Sequence, residues 1–163
     1  MRFSVSANYP AEPEQVAQML LDETFHRWRF PKVATEFQIF TSEGTEVIET
    51  RAALQVSELD PRLARALPGT VNALLIETLG DAPTISISIA GVPITMTADA
   101  PIRATATGSK RVISGQLRVN IPIFGNIIEQ SVIDHIGKGI ALEEAAAEQY
   151  FAGKGNRGDG EEL

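Results

Sequence analysis

Along most of this chain apolar and polar residues alternate with a period of two, and in two stretches the apolar spacing widens to that of a helix. The clearest alternation runs from Arg111 to Ile123. Arg111, Ile113, Gly115, Leu117, Val119, Ile121 and Ile123 fall on one, mostly greasy, face, and Val112, Ser114, Gln116, Arg118, Asn120 and Pro122 on the other. This predicts a strand covered on one side only. Gly125-Asn126 breaks it, after which Ile128, Val132, Ile136 and Ile140 recur every four residues and line one side of a helix.

Upstream, Arg2 to Tyr9 alternates as a first strand, with Phe3, Val5, Ala7 and Tyr9 on one face. Pro13 suits the first turn of a helix, whose apolar side is Val16, Met19 and Leu20 up to about Asp22. A second short helix is expected over Glu23 to Phe30, closed by Pro31. Val33 to Ile39 and Ile48 to Val56 read as a hairpin turning at Glu43-Gly44, and Asp60-Pro61 as the start of a short helical excursion. Val71 to Leu79 is a strand whose facing is blurred by Leu74-Leu75-Ile76; Ile85 to Ile89 is a clear one. Ile94 to Thr107 is a run weakened by Pro101, and Gly108-Ser109-Lys110 turns into the long strand. The order is α+β: about six to seven antiparallel strands and a long terminal helix of roughly 26 residues, about 40 Å. A sheet of this length curls, so a helix laid across it forms a grip with a lumen beneath.

Composition narrows the class. One domain is expected over 1–152, with a glycine-rich, charged and disordered tail over 153–163. The absence of cysteine excludes disulfides, thiolate metal sites and cysteine nucleophiles. The net charge of −7 argues against nucleic acid as a partner. No signal peptide and no integral membrane segment is visible, so a soluble cytoplasmic protein is expected.

The opening strand with Pro10-Ala11-Glu12-Pro13-Glu14-Gln15-Val16, the turn-rich middle and the amphipathic final helix together resemble the START-like superfamily, also called the helix-grip, polyketide-cyclase or SRPBCC group. Within it, Val119-Asn120-Ile121-Pro122-Ile123-Phe124-Gly125-Asn126-Ile127-Ile128-Glu129 is similar to the signature of a domain of unknown function from an uncharacterised actinobacterial branch. The resemblance covers about residues 1 to 152. It implies a curved sheet gripping the long helix, and a cavity for lipids, polyketides, hormones or aromatic substrates. It does not carry over an activity, since only some members are enzymes.

Few residues bear chemistry. Glu129 and Glu143 fall inside the apolar arc of the final helix, where a carboxylate is costly unless paired or wetted. Either they enter a solvated lumen and orient a ligand, or they reach the rim or pair with an arginine such as Arg103 or Arg111. Gly137 and Gly139, mid-helix, mark close approach of a ligand or a kink, or else close packing on the sheet or a helix break. His26 and His135 are expected at the surface or rim, with no metal site and no cofactor. Neither a Gly-x-Ser-x-Gly elbow nor a phosphate loop occurs. Trp28 with Arg27 and Arg29 is a poor base-stacking platform in so acidic a chain. Phe25, Trp28, Phe30, Phe37, Leu54, Met96, Ile136 and Ile140, with Glu129, are the expected ligand-binding positions.

The expected function is non-catalytic binding or transport of a small hydrophobic ligand. The alternative is a cyclase- or dehydratase-like enzyme on a polyketide or aromatic substrate, with Glu129 as general acid/base. A third reading is an interaction module whose own side chains fill the core.

Overall fold

The computed structural model describes residues 1–161 except Lys32, Ala34, Asp60, Arg62 and Ala66; the side chains at 58, 59, 63 and 154–161 also lie outside the description. Eight strands form one antiparallel sheet: β1 (Arg2–Tyr9), β2 (Thr35–Ser42), β3 (Thr45–Gln55), β4 (Thr70–Thr78), β5 (Thr84–Ile89), β6 (Val92–Asp99), β7 (Ile102–Thr105) and β8 (Gly108–Val119). Their order across the sheet is β1-β8-β6-β5-β4-β3-β2. β6 and β7 both lie along β8, separated at Ala100-Pro101, where proline cannot donate to the ladder. Glu43 and Gly44, both at positive φ (50° and 78°), make the two-residue hairpin turn between β2 and β3.

Helices α1 (Pro13–Leu20) and α2 (Glu23–Arg29) close one end of the curl. Pro13 begins α1, and Asp22 caps α2 by accepting from the Thr24 N–H at 2.9 Å. α3 (Val56–Leu59) and a 3-10 turn (Leu63–Arg65) form the excursion after β3, with Asp60, its expected cap, outside the described residues. α4 (Gly125–Glu161) packs closely on β1, β8 and α2. Where a disordered tail was expected over 153–163, the backbone continues α4 as far as Glu161, and only 162 and 163 lie outside the described residues.

Two expectations are corrected. The last strand stops at Val119, and Ile123, placed on the greasy face by alternation, is 94% exposed at φ 71°. The reason is local: β6 offers no partner beyond Ile94↔Val119, the Asn120 N–H donates to the Pro93 carbonyl at 3.0 Å, and Pro122 has no N–H to extend the ladder. At Gly137 and Gly139 the helix neither breaks nor packs tightly, because an added Cβ would meet nothing within 4 Å.

Two apolar clusters form. One lies under α1 and α2 and gathers Tyr9, Val16, Met19, Leu20, Phe25 and Tyr150; the other lies further along the curl and includes Val71, Ile94, Met96, Leu117 and Ile128.

Candidate functional site

Strand alternation turns Tyr9 of β1, Glu77 of β4 and Arg111 of β8 inward among apolar neighbours, where charged groups persist only if paired. α2 adds Arg29 and α4 adds Glu143, both buried. Arg29 forms a fork on Glu77, its Nη1 on Oε1 and its Nη2 on Oε2 at 3.0 Å, and Nη2 also pairs with Glu143 Oε1. Arg111 Nη1 donates to Glu77 Oε2 at 2.9 Å, and the Tyr9 hydroxyl donates to Glu143 Oε2. The result is a charge-balanced layer of two guanidinium groups and two carboxylates. The Arg29 guanidinium also lies over the rings of Phe30 (5.3 Å) and Phe25 (5.7 Å).

The layer sets its own protonation. Burial alone would raise the Glu77 pKa, but Arg29 and Arg111 win and hold it well below the usual carboxylate range. Burial disfavours charge on the two arginines, yet Glu143 and Glu77 keep both more firmly charged than usual. Burial, then the neighbouring Glu143 charge, pushes the Tyr9 hydroxyl far up. Every titrating group here with a resolved shift is driven away from neutrality.

His26 is a correction to the expected surface histidine. It is 3% exposed, its Nε2 bonds the Leu20 carbonyl at 2.6 Å, and its ring stacks tilted on Phe37 at 5.3 Å. Burial, then Arg29, lowers its pKa from 6.5. Helical spacing explains the position, since Glu23 and Arg27 take the outer side of α2 while Phe25, His26 and Arg29 turn inward. His135 is half-buried, its Nδ1 on the Ser131 carbonyl at 2.7 Å. Among the described residues no three metal-ligating side chains converge.

Beyond the ionic layer the inner face is apolar. Ala52 and Leu54 of β3 pair with Ala73 and Val71 of β4, and Leu75, Ile87 and Ile89 continue the surface. All of these but Val71 are only half-buried. So are Val132, Ile133, Ile136 and Ile140 of α4, which pack towards the same cluster. α4 leans on β1 and β8 and does not approach β3, β4 and β5 as closely, and the inward apolar residues of these strands stay partly exposed. A separate depression of ≈ 430 Å³ lies on the opposite face of the sheet, among Thr84, Ser86, Thr97, Asp99, Ser114 and Gln116, with Ile85, Ala98 and Gly115 also lining it.

The sequence-predicted positions divide accordingly. Leu54, Met96 and Ile136 belong with the second apolar cluster, and Ile140 touches both clusters. Phe25 is fully buried and Trp28 partly so in the first; Phe30 and Phe37 sit beside Arg29 and His26. Glu129 is half-buried and makes no hydrogen bond or ion pair among the described residues. Glu143 does pair with an arginine, but with Arg29 rather than Arg103 or Arg111. Arg29 and Glu77 were missed, although Phe25 and Arg29 share a helix face and Val71, Leu75, Glu77 and Leu79 share a strand face.

Among the described residues no helix is long and apolar enough to cross a membrane. The structure is similar to TTHA0849 from Thermus thermophilus (TM-score 0.58, 16% identity, covering 91% of this chain and 94% of that one). It is also similar to the Zhui aromatase/cyclase from Streptomyces sp. R1128 (0.55, 11%, 91% and 93%). A START superfamily protein from Mycobacterium smegmatis is a third match (0.54, 9%, 92% and 97%). At these identities the likeness establishes the START-like helix-grip fold and no more. No curated protein sequence matches. Over residues 4–151 the sequence matches a family described as protein of unknown function, DUF2505, and the chain belongs to that family.

Proposed function

We propose that this chain binds a small apolar molecule between its sheet and α4, and does so without catalysing a reaction on it. The observation that carries this is the concave wall of half-buried Ala52, Leu54, Ala73, Leu75, Ile87 and Ile89 opposite half-buried Ile136 and Ile140. A filled core would bury these residues fully. Covering roughly 300 Å² of such surface is worth about 7 kcal/mol before the entropic cost of association.

Binding is favoured over catalysis by the charges. A general acid or base works best with a pKa near the operating pH. Glu77 is held far below that range and Tyr9 far above it, and Glu129 has no polar partner among the described residues. The likeness to an aromatase/cyclase supports the presence of a hollow of this kind, not its chemistry.

Native mass spectrometry of protein purified from its host tests the reading. The expected result is a bound apolar small molecule. A bare protein that also binds nothing in a lipid and polyketide panel overturns it.

A further inference from the structure

Among the described residues Arg111 is the largest side chain with no exposure, yet only Nη1 of its three guanidinium nitrogens has a hydrogen-bond partner there. Nε and Nη2 have none among the described residues, and Arg29 Nε and Thr50 Oγ1 share that condition. Buried donors without acceptors are rare in folded proteins, and each carries a desolvation penalty that an incoming acceptor would relieve.

Their location is informative. Arg111 stands on β8 and its Nη1 meets Glu77 on β4, with β6 and β5 between them in the sheet, so its side chain crosses the inside of the curl. Thr50 occupies the next inward position of β3 beyond Ile48, the partner of Glu77, and is followed by Ala52 and Leu54. The unpartnered groups therefore stand where the ionic layer meets the apolar wall.

The charges of the layer decide which acceptor fits. Arg29 and Arg111 are balanced by Glu77 and Glu143. A carboxylate brought against Arg111 would leave one uncompensated negative charge in a low-dielectric interior. A neutral oxygen takes the same donors without that penalty.

Building on the apolar-ligand reading, we propose that the occupant carries a neutral oxygen acceptor, such as a ketone, quinone or ester carbonyl, and that Nε and Nη2 of Arg111 hold it with the Thr50 hydroxyl alongside. These atoms have no solvent exposure, so the acceptor reaches them by displacing a wall side chain. Phe37, half-buried and cross-strand to Thr50, is in place to yield.

Calorimetric titration of the full chain with three probes of similar shape tests this: 2-acetylnaphthalene, 2-isopropenylnaphthalene and 2-naphthoate. The ketone is expected to bind roughly five- to tenfold more tightly than the hydrocarbon, the equivalent of one or two net hydrogen bonds. Arg111→Lys keeps a cation for Glu77 but lacks the Nε–Nη2 edge; it should abolish the preference and leave hydrocarbon affinity within about twofold. Should that variant not fold, two readouts remain. Isosteric Thr50→Val should halve the preference, and the Arg111 Nε–H resonance should shift with the ketone and not with the hydrocarbon. Equal binding of ketone and hydrocarbon to the unaltered protein overturns the acceptor site and leaves the apolar groove standing. No binding of any probe overturns both. Tightest binding of 2-naphthoate replaces the neutral acceptor with an anion site.

Discussion

The two halves of the concave interior solve the same burial problem in opposite ways. Under α1 and α2 the space is packed and crossed by a layer of paired charges, with every one of Arg29, Glu77, Arg111 and Glu143 nearly inaccessible. Along β3, β4 and β5 the lining is aliphatic, uncharged and half-covered. Charge pairs demand fixed geometry, so the first half is rigid and specific in its packing. Aliphatic walls have no directional requirement and tolerate changes of shape. A molecule that enters this interior would find adaptable surface along most of its length and a fixed polar boundary at one end.

Substitution at the boundary should have the largest effect. Glu77→Gln leaves two buried guanidinium groups to share one carboxylate and is expected to lose about 3–5 kcal/mol in urea unfolding. Against a typical domain stability of about 5–15 kcal/mol, that brings the protein close to unfolding. Leu75→Ala, on the neighbouring inward position of the same strand, should lose only about 1–2 kcal/mol, since the side chain is half-buried. Equal losses at the two positions would erase the contrast.

Acidity probes the same boundary. Glu77 is held below its ordinary 4.5, so its stabilisation is present above that value and is lost as pH falls through it. His26 is held below 6.5; the unfolded chain takes up a proton that the fold refuses, so a shallower loss begins as pH falls past 6.5. Tyr9 is held above 10.0, and its contribution disappears as pH rises beyond that value. Urea midpoints should thus form a plateau between about 6.5 and 10. In Glu77→Gln the steep limb below 4.5 should vanish while the His26 portion survives.

The aliphatic half should respond in ligand affinity and hardly at all in stability. Ala73→Leu narrows the groove and is expected to weaken an apolar probe at least about tenfold, with stability changed by less than about 1 kcal/mol. A probe that binds the variant unchanged would move the ligand elsewhere. The smallest effect belongs to Gly137→Ala on the open side of α4. With nothing within 4 Å of the new methyl, it should stabilise the helix by about 0.5–1 kcal/mol, read from thermal unfolding.

Much of the architecture was legible because its periods are long and regular. β1, β5 and β8 alternate cleanly, and the four-residue repeat from Ile128 to Ile140 marks the buried face of α4. The end of β8 was not, because alternation persists through Ile121 and Ile123 after the partner strand has run out, and pairing is a property of two strands. The site was half legible. Arg111 and Glu143 stood visibly on greasy faces, as did Glu77 once the facing of β4 is known. Two inward charges of each sign imply pairing, but the choice of partner is made by the curl of the sheet, which brings β8 opposite β4. For His26, alternation of exposure within a seven-residue helix is too short a pattern to distinguish core from rim.

Gly115 sets the spacing of two strands of the inner face by what it lacks. A methyl group there would collide with the Thr97 carbonyl and with Ala98, so β8 and β6 sit as near to one another as a bare backbone permits. Those two strands also contribute Leu117 and Met96 to the second apolar cluster. Any side chain at 115 must wedge the strands apart, and the apolar face they carry would spread with them. The spacing of two central strands is in this way fixed by a missing atom rather than by any contact between side chains.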